Sequence, residues 1–283
     1  MRILLTNDDG VLAPGMAVLA RSVARWMEEA PHGELRDALI VAPNTNYSGM
    51  SSAVGDVFER PTVKYQRHRL AGAESITTYG LEAPPALCAI LGGIGSFDFQ
   101  PDVIVSGINA GANVGRSILH SGTVGAVLTG AQLGLSGLAV SVQWGDDVHY
   151  DTAAAVTIEV LDELFRAPSR TLLNLNVPNL AISELKGVKR GRVSLAGVIK
   201  AAGPRAGGEP LGEEGELPLR LGTATPEVGD VSDEDANDDA ALLIAGYAAL
   251  TPIRGPHEDD DPGLEEHLHS ALEAIARHIE KSR

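Results

Sequence analysis

Short apolar runs alternate with stretches of helical period from residue 2 to residue 177, and no other feature constrains the fold as strongly. Residues 2–6 (RILLT) are continuously apolar up to a threonine, the pattern of a strand covered on both faces. Residues 14–29 then read as a helix. Pro14 suits its first turn, and Met16, Leu19, Val23 and Trp26 recur at three- or four-residue spacing. Further strands are expected at 37–42, 102–106, 138–142 and 172–177, and helices around 86–91, 123–133 and 152–165. Residues 51–70 read as a hairpin or irregular excursion, and 107–115 as a loop rich in Gly and Asn. Strand and helix alternating in this way predict an α/β fold: three layers around an open, mostly parallel sheet.

The pattern breaks after residue 180. Residues 185–200 alternate apolar and polar without a following helix, which predicts antiparallel ribbons. Residues 201–240 are rich in Gly, Pro and acids and read as a loop; 242–252 read as a strand, and 264–279 as a closing helix. The expected division is a catalytic core over 1–180, a β-rich arm with an acidic loop over 181–252, and a C-terminal helix over 253–283 that returns to the core.

Charge follows the same division. The net charge is −16, but residues 1–204 hold 19 acids against 16 bases, while 205–266 hold 17 acids against 3. A balanced core beside an acidic segment argues against a partner such as duplex nucleic acid, which needs a basic footprint. A small phosphate-bearing ligand needs only local positive charge, which a metal supplies. The single cysteine, Cys88, allows no intrachain disulfide and fits a reducing cytoplasm; it reads as a small buried hydrophobe. The first apolar run is too short for a signal peptide, and no run is long enough to span a membrane.

In an open parallel sheet, ligands bind beyond the carboxyl ends of the strands. That rule selects Asn7, Asp8, Asp9 and Gly10 after the first strand, Asn44, Asn46 and Ser48 after the second, and Ser106, Asn109 and Asn113 after the third. Adjacent carboxylates repel unless a cation or a proton sits between them. Asp8-Asp9 therefore reads either as a turn with a helix cap or as a metal site, and its place after a buried strand favours the metal. Ser106 to Gly115 reads equally as a glycine-rich turn or as an anion-binding loop, in which Ser106 and Asn113 face phosphate and Asn109 serves metal and phosphate. Ser121, Gly122 and Thr123 precede an apolar helix, where the hydroxyls cap it or its N-terminus binds phosphate. Two carboxylates, a hydroxyl and an amide oxygen are hard donors that favour Mg²⁺ or Mn²⁺ over Zn²⁺. Together these features suggest phosphoester chemistry.

The segments 2–10 (RILLTNDDG), 41–49 (VAPNTNYSG), 105–115 (VSGINAGANVG), 121–126 (SGTVGA), 150–156 (YDTAAAV) and 174–178 (NLNVP) resemble the SurE family, the survival-protein 5′/3′-nucleotidases. The resemblance implies a Rossmann-like core and a metal-dependent phosphatase of nucleoside 5′-monophosphates, acting on 3′-nucleotides as well. It implies one divalent ion per subunit on Asp8, Asp9, Ser48 and Asn109, with Asp8, Asp9 and Asn109 catalytic and Ser121 to Thr123 near the phosphate. It also implies a cytoplasmic homodimer or dimer of dimers, without a membrane partner. The alternatives are a broader metal phosphohydrolase acting on short polyphosphate and a non-catalytic metal- or nucleotide-binding homologue. Three departures stand out: Pro84 and Leu87 replace the family's Thr and Asp, His120 replaces a frequent Tyr, and residues 203–239 are more acidic than the family pattern.

Overall fold

The structure, a computed structural model, describes residues 1–57, 59, 61–194, 199–201, 221–223 and 237–256. Contacts divide the chain into Met1–Ile253 and Arg254–Arg283. The expected helix over 264–279 and nearly all of the acidic loop lie outside the described residues.

The core opens with β1 (Arg2–Thr6), α1 (Pro14–Glu28) and β2 (Asp37–Pro43). A short hairpin-like pair follows, β3 (Tyr65–His68) and β4 (Thr77–Leu81), and then α2 (Pro85–Gly93). Next come β5 (Val103–Ala110), a 3-10 helix (Gly115–His120), α3 (Gly122–Gln132) and β6 (Ser136–Val142). The run closes with α4 (Tyr150–Arg166) and β7 (Leu172–Val177). Six strands run parallel in the order β4-β2-β1-β5-β6-β7. From β1 the chain steps outward through β2 to β4, then returns to β5 and steps the other way. The direction of winding therefore reverses between β1 and β5, and a crevice opens there at the carboxyl ends.

Alternation along β1 shows why the sheet needs two helical layers. Ile3 and Leu5 pack with Met16, Leu19 and Val23 of α1 and with Leu161 and Leu164 of α4. Leu4 faces the other way, with Cys88 and Ala89 of α2 and Ala126 of α3. All three β1 side chains are fully buried. Trp26 ties α1 to α4: its ring stacks on Phe165 at 6.0 Å and its indole N–H donates to Asp162 Oδ1 at 3.1 Å. Cys88 is buried, which pushes its thiol pKa up and leaves it a packing residue.

Four expectations change. β4 was not anticipated; it pairs parallel to β2 and antiparallel to β3, which puts Tyr65–His68 of the expected excursion at the sheet edge. β5 runs on through Ala110, resuming its pairing with β6 at Asn109 after an irregularity, so part of the expected loop is strand. The late apolar segment holds a helix, α5 (Asp239–Ile244), before the strand β11 (Ala248–Ile253), because a short apolar run has no period that separates the two. β8 (Val188–Arg190) pairs parallel to β11, not in an antiparallel ribbon; the antiparallel pairing belongs to β9 (Ile199–Ala201) and β10 (Leu221–Thr223). β11 itself lies antiparallel to β7 and so extends the core sheet. Among the described residues no helix is long and apolar enough to cross a membrane.

Candidate active site

The turn after β1 is closed by Asn7, which is fully buried. Its amide donates to Gly10 O at 2.8 Å, and Gly10 N donates back to Asn7 Oδ1 at 3.2 Å. Gly10 adopts a φ of 110°, which L side chains rarely take, so the tight return requires glycine. Neighbouring backbone secures the turn: Tyr47 N donates to Asp8 O and Val11 N to Pro43 O, both at 2.7 Å. Asp8 and Asp9 are therefore presented on a clamped loop at the β1/β5 crevice.

Asp8 points at the start of α3 and is 3% exposed. Thr123 Oγ1 donates to Asp8 Oδ1 at 2.6 Å. Gly122 packs so closely that a Cβ there would stand 2.8 Å from Asp8 Cβ. Burial raises the Asp8 pKa above its usual value, opposed by hydrogen bonds from the Thr123 hydroxyl and from the Thr123 and Gly122 amides. Asp9 faces the rim. Asn46 Nδ2 donates to its Oδ1 at 3.3 Å, Ser48 Oγ reaches the same oxygen at 3.5 Å, and Ala110 N donates to Oδ2 at 3.4 Å. Burial, and then the charge of Asp8, raise the Asp9 pKa. Among the described residues, no Lys, Arg or His pairs with either carboxylate.

The structure thus gathers Asp8, Asp9, Ser48 and Thr123. Asn109 lies in β5, one residue before the Ala110 that bonds Asp9, and one N–H of its amide donates to Gly111 O at 2.7 Å. Among the described residues its second N–H and its amide oxygen take no other partner, so both stay available to a ligand. Ser121 Oγ accepts from Val124 N at 3.1 Å and caps α3.

Two residues expected to contact phosphate are buried. Ser106 is fully buried in β5, beside Thr6 across the β1/β5 pairing, and among the described residues its hydroxyl has no hydrogen-bond partner. Asn113 spends its groups inward: its N–H donates to Asn176 Oδ1, its NH₂ to Ser141 Oγ, and its carbonyl accepts from Asn174 and Asn176. It is a keystone of the loop. Tyr150 was missed by sequence reasoning. It starts α4, and burial and the nearby charge of Asp9 raise its phenol pKa. The only local signal was its place at a helix start beyond a strand end. Pro84 precedes α2 and Leu87 packs with the Leu4 and Cys88 cluster, so both departures from the family pattern take apolar positions.

An open, doubly wound α/β protein with a paired-carboxylate centre at its switch point is the class that fold and site define. The family model described as survival protein SurE matches residues 3–198. The chain belongs to the SurE family. It is similar to the 5′/3′-nucleotidase SurE of Serratia proteamaculans (strain 568), 36% identical over 256 residues and 90% of each chain. It is also similar to the protein of that name from Cronobacter sakazakii (strain ATCC BAA-894), 36% identical over 262 residues, 89% of this chain and 90% of the relative. The crystal structure of the SurE protein from Aquifex aeolicus superposes with a TM-score of 0.70 at 25% identity, covering 96% of this chain and 100% of that one.

Proposed function

We propose that this chain is a divalent-metal-dependent phosphatase that hydrolyses nucleoside 5′-monophosphates to nucleoside and phosphate. The observation that carries the reading is the Asp8-Asp9 pair: two adjacent carboxylates, drawn out of water at the switch point, with no protein cation paired to them among the described residues. Such a pair is stable when ionised only beside a cation. The donors present fit a hard one. Asp8, Asp9, the Ser48 hydroxyl and the free Asn109 amide oxygen would hold Mg²⁺ or Mn²⁺. Among the described residues no cluster of three His, Cys, Asp or Glu exists, so a softer, histidine- or thiolate-rich centre is not what these residues build.

Such an ion supplies neutralisation of phosphoryl charge and acidification of water. The chain supplies orientation. Thr123 and the start of α3 hold Asp8 in one rotamer, and the positive end of the helix dipole offsets the carboxylate charge. Asn46 and Ala110 fix Asp9 from two sides. The curated relatives' name, 5′/3′-nucleotidase, supports the substrate class.

Purified protein with Mg²⁺ or Mn²⁺ is expected to release phosphate from 5′-AMP. A panel of 3′-AMP, short polyphosphate and a generic aryl phosphate separates a nucleotidase from a broader phosphohydrolase. No phosphate release with any divalent cation would overturn the reading.

A further inference from the structure

Asp239, at the start of α5, is a fully buried carboxylate far from the paired acids in sequence. Among the described residues it has no Lys, Arg or His partner. It accepts instead from backbone N–H groups of three segments. Gly115 N donates to both oxygens, at 3.1 and 3.0 Å; Ser194 N donates at 3.2 Å and Ala240 N at 2.9 Å. A neutral side chain would be cheaper to bury but would not satisfy this many donors at once.

Each segment matters for what it holds. Gly115 opens the 3-10 helix that runs into Ser121, Gly122 and Thr123, the end of α3 that grips Asp8. Two residues earlier, Asn113 is pinned by Asn174, Asn176 and Ser141. Val114, between the two pins, packs against Ala240 and Leu243 of α5. On the other side, Asp239 N donates to Arg192 O at 2.8 Å and Arg192 N to Asn237 O at 2.9 Å, so the chain before residue 195 and the chain after residue 236 meet at the same carboxylate.

We propose that Asp239 is a positioning residue: it fixes the 113–121 segment, and through it the Thr123 end of α3, against Asp8, and it joins Arg192 to Ser194 and Asn237 to that segment. The inference rests on the function proposed above. Asp239 touches neither Asp8 nor the rim and acts only through Gly115 and the helix beyond it.

The test compares the full-length protein with Asp239→Asn and Leu242→Ala. The amide keeps the volume of the side chain but turns a donor toward a backbone N–H. Leu242 is buried in the same helix, so its truncation destabilises α5 while leaving the carboxylate in place. In protein shown to be folded by circular dichroism and melting temperature, Asp239→Asn is expected to lower kcat for AMP by about ten-fold or more. Mn²⁺ binding is retained and amide hydrogen exchange over residues 113–121 is faster. Leu242→Ala is expected to lower the melting temperature with kcat per folded site unchanged. Equal kcat losses in both variants would mean a structural role only and overturn the proposal, as would unchanged kcat or unchanged exchange in folded Asp239→Asn. A wild-type protein without turnover counts against the proposed function, and the exchange comparison still decides the role of Asp239.

Discussion

Asp8 shows how a single residue trades stability for a site. It is almost fully removed from water, its partners are neutral donors, and a second carboxylate adjoins it in sequence. Its pKa is raised from 3.8 by burial, so in the metal-free protein the folded state holds this proton to higher pH than the unfolded chain does. The stability penalty is therefore absent well below pH 3.8 and grows as pH rises above that value, through the folded pKa. Asp8→Asn removes the penalty. In chelator, its melting temperature is expected to exceed that of the wild type by a margin that widens from pH 4 upward, as measured by thermal denaturation across pH. Asp239 has a raised pKa too, but it is common to both proteins and cancels, whereas Asp9 loses the part of its rise that the Asp8 charge causes, which widens the margin in the same direction. The same variant is expected to lose metal-dependent turnover. A margin that does not vary with pH would show that neither the Asp8 carboxyl nor its charge on Asp9 carries the penalty.

At the scale of elements, the decisive contact is the start of α3 against the turn after β1. Ser121 caps the helix, Thr123 bonds Asp8, and Gly122 lies between them with no room for a side chain. Gly122→Ala keeps or improves helix propensity, so helical content by circular dichroism should be unchanged. The added carbon forces α3 away from Asp8, and turnover of AMP is expected to fall about ten- to hundred-fold, since small displacements of catalytic groups are costly. Full activity would mean that the helix start does not hold the site.

The molecule as a whole carries −16, most of it in residues 205–266 and not in the segments that build the crevice. That field repels an anionic ligand, and under the function proposed above the local attraction comes from the cation and the helix start. Salt screens the long-range repulsion, with a Debye length of about 8 Å at physiological ionic strength. KM for AMP is therefore expected to fall as NaCl rises from low concentration at fixed Mn²⁺. A KM that climbs with salt would show that a local positive field dominates.

The sequence by itself determined the layered α/β core and the paired acids at its first strand end. Strands covered on both faces write continuous apolar runs, as in Ile3, Leu4 and Leu5, and α1 writes its period in Met16, Leu19, Val23 and Trp26. Signals of this kind are local. β4 was lost because Thr77-Thr78-Tyr79-Gly80-Leu81 is neither continuously apolar nor cleanly alternating, and Leu242, Leu243 and Ile244 of α5 were read as strand because a short apolar run has no period. Only the tertiary structure decided that Ser106 and Asn113 are buried, that Tyr150 comes near the charge of Asp9, and that Asp239 holds Gly115 across 124 residues. The physical reason is that a side chain's role depends on which distant backbone donor or charge lies opposite it, and chain topology, not local pattern, sets that pairing.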